Sequence, residues 1–285
     1  MKKLIALLLA MLMLACSFAA CSQDEDELVG FDIDLARAVF EKLELDVEFT
    51  IITWSQKEAN LESKAIDCIW NGMTITPGRL EEMEISLPYL KNEQVAIIRK
   101  ADAAKYTDKA SMADAYMTAE GGSAGEAFIV DKENANAMLI GKEYNAAASQ
   151  VDALVALNAK TADVAIMDAV LANYYLTVDS KYADSLQIVD MKLSEEPEQY
   201  GIAARKGSGL IKMINWALVE LTKDGTVAEI AEKYGLESEL LITGTETVST
   251  ELTDAEKADY DYIKSQGKII VGYTEFAPIA YRQAK

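Results

Sequence analysis

The stretch FDIDLARAVFEKLELDVEFTII, residues 31–52, changes its hydrophobic period halfway along, and that change decides the fold. Its first half places Leu35, Val39 and Leu43 on one face with Ala36 and Phe40 beside them, the spacing of an amphipathic helix opened by Asp32 or Asp34. Its second half alternates, with Val47, Phe49 and Ile51 on one side, so a strand follows the helix. Working outward, CIWNGMTIT (68–76), QVAIIRK (94–100), TADVAIMD (161–168), LQIVDMKL (186–193) and YGIAARK (200–206) read as further strands. LIKMINWALVEL (210–221) has Leu210, Met213, Ile214, Ala217, Leu218 and Leu221 at helical spacing, and Gly225 separates it from a helix carrying Val227, Ile230 and Tyr234. Strands alternating with helices imply an α/β fold with mostly parallel sheets flanked by helices. ITGTETVSTELTDAEK (242–257) is thinly apolar and reads as a linker into a short helix around Tyr260 and Ile263, before one more strand in GKIIVGYTEFAPIAY (267–281).

The 285 residues are enough for two lobes that each bury a core. A net charge of −20 repels phosphate backbones, and no basic cluster offsets it, so nucleic acid is excluded as a partner. The acidic residues are otherwise a solvated surface. The chain has no histidine, which removes Ser–His and Cys–His nucleophile arrangements and the commonest metal ligand. No metal or cofactor is expected. Cys68 lies in the apolar run IDCIW and reads as a buried, inert thiol; Cys68 and Trp70 belong to the core.

The opening MKKLIALLLAMLMLACSFAAC (1–21) has two lysines, an apolar run and small residues before a cysteine, followed by polar SQDEDE, and describes a secretory signal over 1–20. Its end resembles a bacterial lipoprotein signal. Cys21, after Ala19 and Ala20, is the expected acylation site, with Cys16 the other candidate; Phe18 stands where that family usually has leucine. The expected location is therefore outside the cytoplasm, lipid-anchored at the outer face of the membrane or periplasmic.

LVGFDIDLARAVFEKL (28–43), WNGMTITPGR (70–79), TADVAIMDAVLANYYL (161–176) and the return segment 200–235 together resemble the polar amino-acid-binding branch of the periplasmic solute-binding proteins. The resemblance covers nearly everything after the leader. It implies a two-lobed Venus-flytrap fold with a two-strand hinge, placed near Ile98 to Ala101 and Ile202 to Arg205. The implied divisions are 27–98 for the first part of lobe 1, 99–200 for lobe 2, 201–242 for the return to lobe 1, 243–266 for the linker and short helix, and 267–285 for a displaced first strand of lobe 1. The order is rotated: the family normally begins with a segment like DYIKSQGKIIVGYTEFAPIAY (261–281), here at the other end. A circular permutation, a swap with a second copy and a truncated tandem gene are the three arrangements compatible with that order.

The resemblance also implies a site. A free amino acid needs a fixed cation for its carboxylate and an anion for its ammonium. Arg79 would take the carboxylate with help from Thr74, Gly72 would let the backbone approach, and Asp168 would accept the ammonium. Amides near Ser123 and Ala124, in the loop GGSAGEAF (121–128), would complete the carboxylate site; Ala124 stands where the family often has a hydroxyl. Trp54 and Phe276 match the positions whose rings sandwich the ligand side chain, and Tyr273 occupies a place that in some members carries an aspartate. The implied function is the binding component of an ABC importer, delivering a polar amino acid, of cystine or glutamine type among others, to a permease. The rivals are an amino-acid-pathway dehydratase on the same fold, with Glu58, Glu195, Glu196 and Glu198 as acids by type only, a sensory domain, and a truncated product.

Overall fold

The structure, a computed structural model, describes residues 26–130, 143–178 and 180–283. The leader with Cys16 and Cys21 lies outside them. From the amino end come β1 (Glu27–Val29), α1 (Phe31–Lys42), β2 (Asp46–Ile51), α2 (Lys57–Glu62), β3 (Cys68–Thr74), α3 (Pro77–Glu82), β4 (Met83–Ile85) and β5 (Leu90–Asn92). A middle block follows with β6 (Gln94–Arg99), β7 (Met117–Glu120), α4 (Ala124–Val130), β8 (Tyr144–Ala147), α5 (Gln150–Asn158), β9 (Val164–Asp168), α6 (Ala169–Asn173), α7 (Ser180–Ala183) and β10 (Leu186–Ile188). The remainder is β11 (Glu198–Arg205), α8 (Leu210–Lys223), α9 (Thr226–Tyr234), α10 (Asp254–Ser265), β12 (Lys268–Tyr273) and β13 (Tyr281–Gln283). Residues 26–28 and 282–283 form a small unit of their own, with the Arg282 guanidinium donating to Asp26 O at 3.4 Å.

Two sheets carry the two lobes. The first has the order β2-β12-β3-β11-β4, with β5 also on β11; the second has the order β10-β6-β9-β7-β8. Both are mixed. In the first sheet β12 runs parallel to β2 and β3, and in the second β7 runs parallel to β8 and β9, as the helix–strand alternation predicts. The strands leading to and from the crossing between lobes, β5, β6 and β11, pair antiparallel with their neighbours, so "mostly parallel" holds only for the part of each sheet built from helix crossovers. Helix α1 buries Phe31, Leu35, Ala36, Val39 and Phe40, the face its period predicts, and contacts β2, β3, α8 and α9. Cys68 and Trp70 are fully buried in that core, and burial pushes the Cys68 thiol well up, away from a reactive thiolate.

The hinge expectation is corrected. Gln94–Arg99 pairs with β9 and β10, inside the second sheet, while Leu90–Asn92 pairs with β11 in the first. The chain therefore crosses at Glu93, some residues before Ile98, and returns between Leu193 and Glu198, before Ile202. QVAIIR is buried over nearly its whole length in either lobe, so its apolar pattern carries no mark of which sheet it joins.

The displaced C-terminal segment completes the first sheet of its own chain. Val271 of β12 stands opposite Phe49 of β2 on one side and Cys68 of β3 on the other. Beyond it, the turn at 276–280 meets the start of α1: Phe31 N donates to Pro278 O and Asp32 N to Ile279 O, both at 2.9 Å. These are first-turn helix amides that have no partner within the helix. The approach requires Gly30, at φ 133°, where a Cβ would sit 2.2 Å from Ile279 O. Helix α10 is tied down by Arg205, which reaches Asp259 at 3.1 Å and Asp67 at 3.2 Å. Truncation of the chain before Lys268 is expected to abolish cooperative unfolding, because β2 and β3 lose their shared neighbour; a thermal melt followed by circular dichroism that matched the full chain would contradict this placement.

Candidate functional site

Four of the strands that run parallel in pairs end at one place. Gly72 and Thr74 close β3, Glu120 closes β7, Asp168 closes β9, and β12 leads into Phe276. The carboxyl ends of parallel strands are where open α/β sheets present ligands. Between the two sheets lies a narrow cavity. It is lined by Trp54, Gly72, Thr74, Arg79, Ser123, Ala124, Asp168 and Phe276, eight of the nine expected site residues, together with Asn71, Glu120 and Gln150. Tyr273 is the exception. Its side chain does not line the cavity, because its ring stands edge-on to Phe49 at 6.4 Å within the first lobe.

Local sequence sets each group. Gly72 sits at φ 58° inside β3 and turns its N–H onto Asp32 Oδ2 at 2.7 Å, and a Cβ there would lie 2.8 Å from the Phe276 ring. Asp32 also accepts from the Tyr89 hydroxyl at 2.8 and 2.9 Å, while burial pushes it up to about 7. Thr76 caps α3 by accepting from Arg79 N at 3.2 Å, which fixes the first turn that carries Arg79. The guanidinium then donates to Thr74 O at 2.6 Å and across the cleft to Gly122 O at 3.1 Å.

Asp168 is buried and held by four donors: Asn92 at 2.5 Å, Gln94 and the Tyr200 hydroxyl at 2.9 Å, and the Gln150 amide. Gln150 returns the contact by accepting from Asp168 N at 3.0 Å. Burial and the neighbouring Glu198 raise Asp168 above the usual carboxylate range. Glu198 itself accepts from Thr74, Asn92 and Gln94 at 2.9–3.2 Å, so groups from both lobes converge on it. The other three acids of the enzyme reading are placed elsewhere: Glu58 pairs with Lys57 at 3.0 Å, and Glu195 and Glu196 are exposed.

Sequence reasoning missed Lys57, Glu120 and Gln150. Lys57 is 3 % exposed, with its ammonium bound to Gly122 O at 3.2 Å and 5.0 Å from the Trp54 ring centre. Glu120 is 4 % exposed, and burial, with Asp168 nearby, pushes it up to about 8. Its position just before Gly121, at the end of the strand MTAE, was the available signal. A larger groove beside the crossing carries Lys91 and Glu239 paired at 3.7 Å, but none of its titratable side chains is buried.

Two lobes closing on buried, opposite charges define a binding protein that holds a small polar solute between them. The comparisons agree with that class. The family of bacterial extracellular solute-binding proteins, family 3, matches residues 16–237, and the chain belongs to it. It is 25% identical over 214 residues to the ABC transporter arginine-binding protein 1 of Escherichia coli, covering 73% of this chain and 82% of that one. It is 26% identical over 221 residues to the ABC transporter glutamine-binding protein GlnH of Bacillus subtilis, covering 76% of each. Among solved structures, a substrate-binding protein of an ABC uptake transporter from Streptococcus pneumoniae with bound histidine is 35% identical, with a TM-score of 0.66 over 76% of this chain and 85% of that one. These relatives are binding proteins rather than enzymes.

The buried carboxyls make stability depend on pH. Unfolded, Asp32 and Glu120 release their protons near 4; folded, they hold them to about 7 and about 8. Unfolding therefore releases protons between those limits, and the stability contributed below about 4 is lost as pH rises through them. The melting temperature is expected to fall between about pH 5 and about pH 8, and to fall less in Glu120→Gln, whose amide stays neutral. A slope unchanged by that substitution would show that Glu120 is ionised throughout.

Proposed function

We propose that this chain is the substrate-binding component of an amino-acid ABC importer, taking up a free polar amino acid between its lobes and presenting the closed form to a permease. The observation that carries the reading is the pairing of Arg79, on α3 of the first lobe, with Asp168, at the end of β9 of the second, on opposite walls of one cavity. An α-carboxylate matches the forked guanidinium and an α-ammonium matches the buried carboxylate, so a single zwitterion satisfies both lobes at once. Ligand contacts shared by the lobes favour the closed state, with the crossings at Glu93 and before Glu198 as the hinge. Ser123 and Ala124 border the carboxylate end, and Trp54 and Phe276 flank the side chain. The relatives named above carry arginine, glutamine and histidine in their names or as bound ligand, which supports the class of ligand.

The location follows from the leader: export by the segment 1–20 and acylation at Cys21 would hold the receptor at the outer face of the membrane. Cys21→Ala is expected to move the protein from the detergent phase to the aqueous phase of a cell extract, with no effect if Cys16 carries the lipid instead.

A thermal-shift screen against the amino acids and cystine tests the binding function directly, since a ligand at 100 times its Kd adds about 2.7 kcal/mol of stability. At least one polar amino acid is expected to raise the melting temperature. Arg79→Ala and Asp168→Ala are each expected to remove that shift while leaving a cooperative melt, at a cost to binding of about 2–5 kcal/mol, because each leaves a ligand charge unpaired in a closed cleft. Unchanged affinity in either variant would take that residue out of the site.

A further inference from the structure

The proposed zwitterion accounts for one cation and one carboxylate, and the cleft holds more carboxylates than that. Lys57 is matched by Glu58 at 3.0 Å. Four acids act on the charge of Arg79, Glu58 first and then Glu198, Asp168 and Glu120, and the last three are the ones not already paired with Lys57. Of these, Asp168 has four donors and Glu198 three. Glu120 is different. It lines the cavity, is 4 % exposed, and its Oε1 has no hydrogen-bond partner among the described residues. No cation among the described residues lies within ion-pair distance of it, because the two nearby cations are held elsewhere, Arg79 on Thr74 O and Gly122 O and Lys57 on Gly122 O and Glu58. A buried carboxyl oxygen without a partner is costly, and a cation brought against it favours the ionised form that burial opposes.

Building on the amino-acid reading, we infer that Glu120 is the specificity determinant of the cleft and receives a cationic side chain, an ammonium or guanidinium, of a basic amino acid. The ligand's α-carboxylate offsets Arg79, its α-ammonium offsets Asp168, and its side-chain cation supplies the partner that Glu120 lacks. The flanking rings of Trp54 and Phe276 suit the aliphatic stem that must connect the two cationic ends. Glu120 comes from the end of β7 and Asp168 from the end of the adjacent, parallel β9, so the two carboxyl groups belong to neighbouring strand ends of one lobe.

Calorimetric titration of the purified chain with arginine, lysine, glutamine and histidine tests this. Arginine or lysine is expected to bind at least about tenfold more tightly than glutamine, and Glu120→Gln to weaken the basic ligand by about tenfold or more while leaving glutamine within about threefold. Glu120→Asp, which keeps the charge, is expected to retain the preference for the basic ligand. Tighter binding of glutamine by the unaltered chain overturns the inference and leaves the receptor reading intact. An equal loss for all four ligands in Glu120→Gln also overturns it, because Glu120 would then serve the α-ammonium beside Asp168. Absence of binding by any amino acid overturns both.

Discussion

The first lobe depends on a strand that arrives last. β12 fills the place between β2 and β3, in the parallel part of the mixed sheet, and an interior strand gives both neighbours their backbone partners. The helix α1 depends on it as well, since its first amides close on the turn that follows β12. The earliest described helix and the last long strand thus form one unit, although more than 220 residues separate Phe40 from Lys268. Contacts of such separation carry a large loop-closure cost before any packing offsets it, so this lobe assembles only once the whole chain is available.

The same segment supplies the cleft with Phe276 and presses that ring on Gly72. The proposed site and the completed sheet therefore meet at one glycine. Its N–H is turned away from the strand ladder and onto Asp32, and its positive φ leaves room for an aromatic ring where a side chain would otherwise stand. Asp32 in turn is fixed by Tyr89, which stands immediately before β5 and the crossing at Glu93. One buried carboxyl thereby links the helix α1, the site strand β3 and the approach to the hinge.

Charge is concentrated where the two lobes meet. Arg79 donates to Gly122 across the cleft, and Lys57 binds the same carbonyl, so two cations of the first lobe rest on the glycine loop of the second. Asn92 and Gln94, on either side of the crossing residue, both donate to Asp168 and to Glu198. Hinge and site are therefore parts of one hydrogen-bonded network, and a change of charge in the cleft bears directly on the groups that flank the crossing.

The sequence by itself determined the α/β class and the amphipathic faces of α1 and α8, because periodicity reports local conformation and exposure; Thr74 at the end of β3, Arg79 in the first turn of α3 and Asp168 at the end of β9 were legible only through the family resemblance of the motifs around them. It also separated Cys68 and Trp70 from the pocket, since an unbroken apolar run marks a strand buried on both faces. It misplaced the hinge because QVAIIR is apolar in whichever sheet it joins, and it put Tyr273 in the cleft because side-chain direction at a strand end depends on the neighbouring strand, here Phe49 of β2. Only the tertiary structure decided where β12 inserts and that Glu120 is buried with its Oε1 unpartnered among the described residues. Both are matters of what lies across space from a residue, and strand pairing, desolvation and charge balance arise between segments that the linear order leaves far apart.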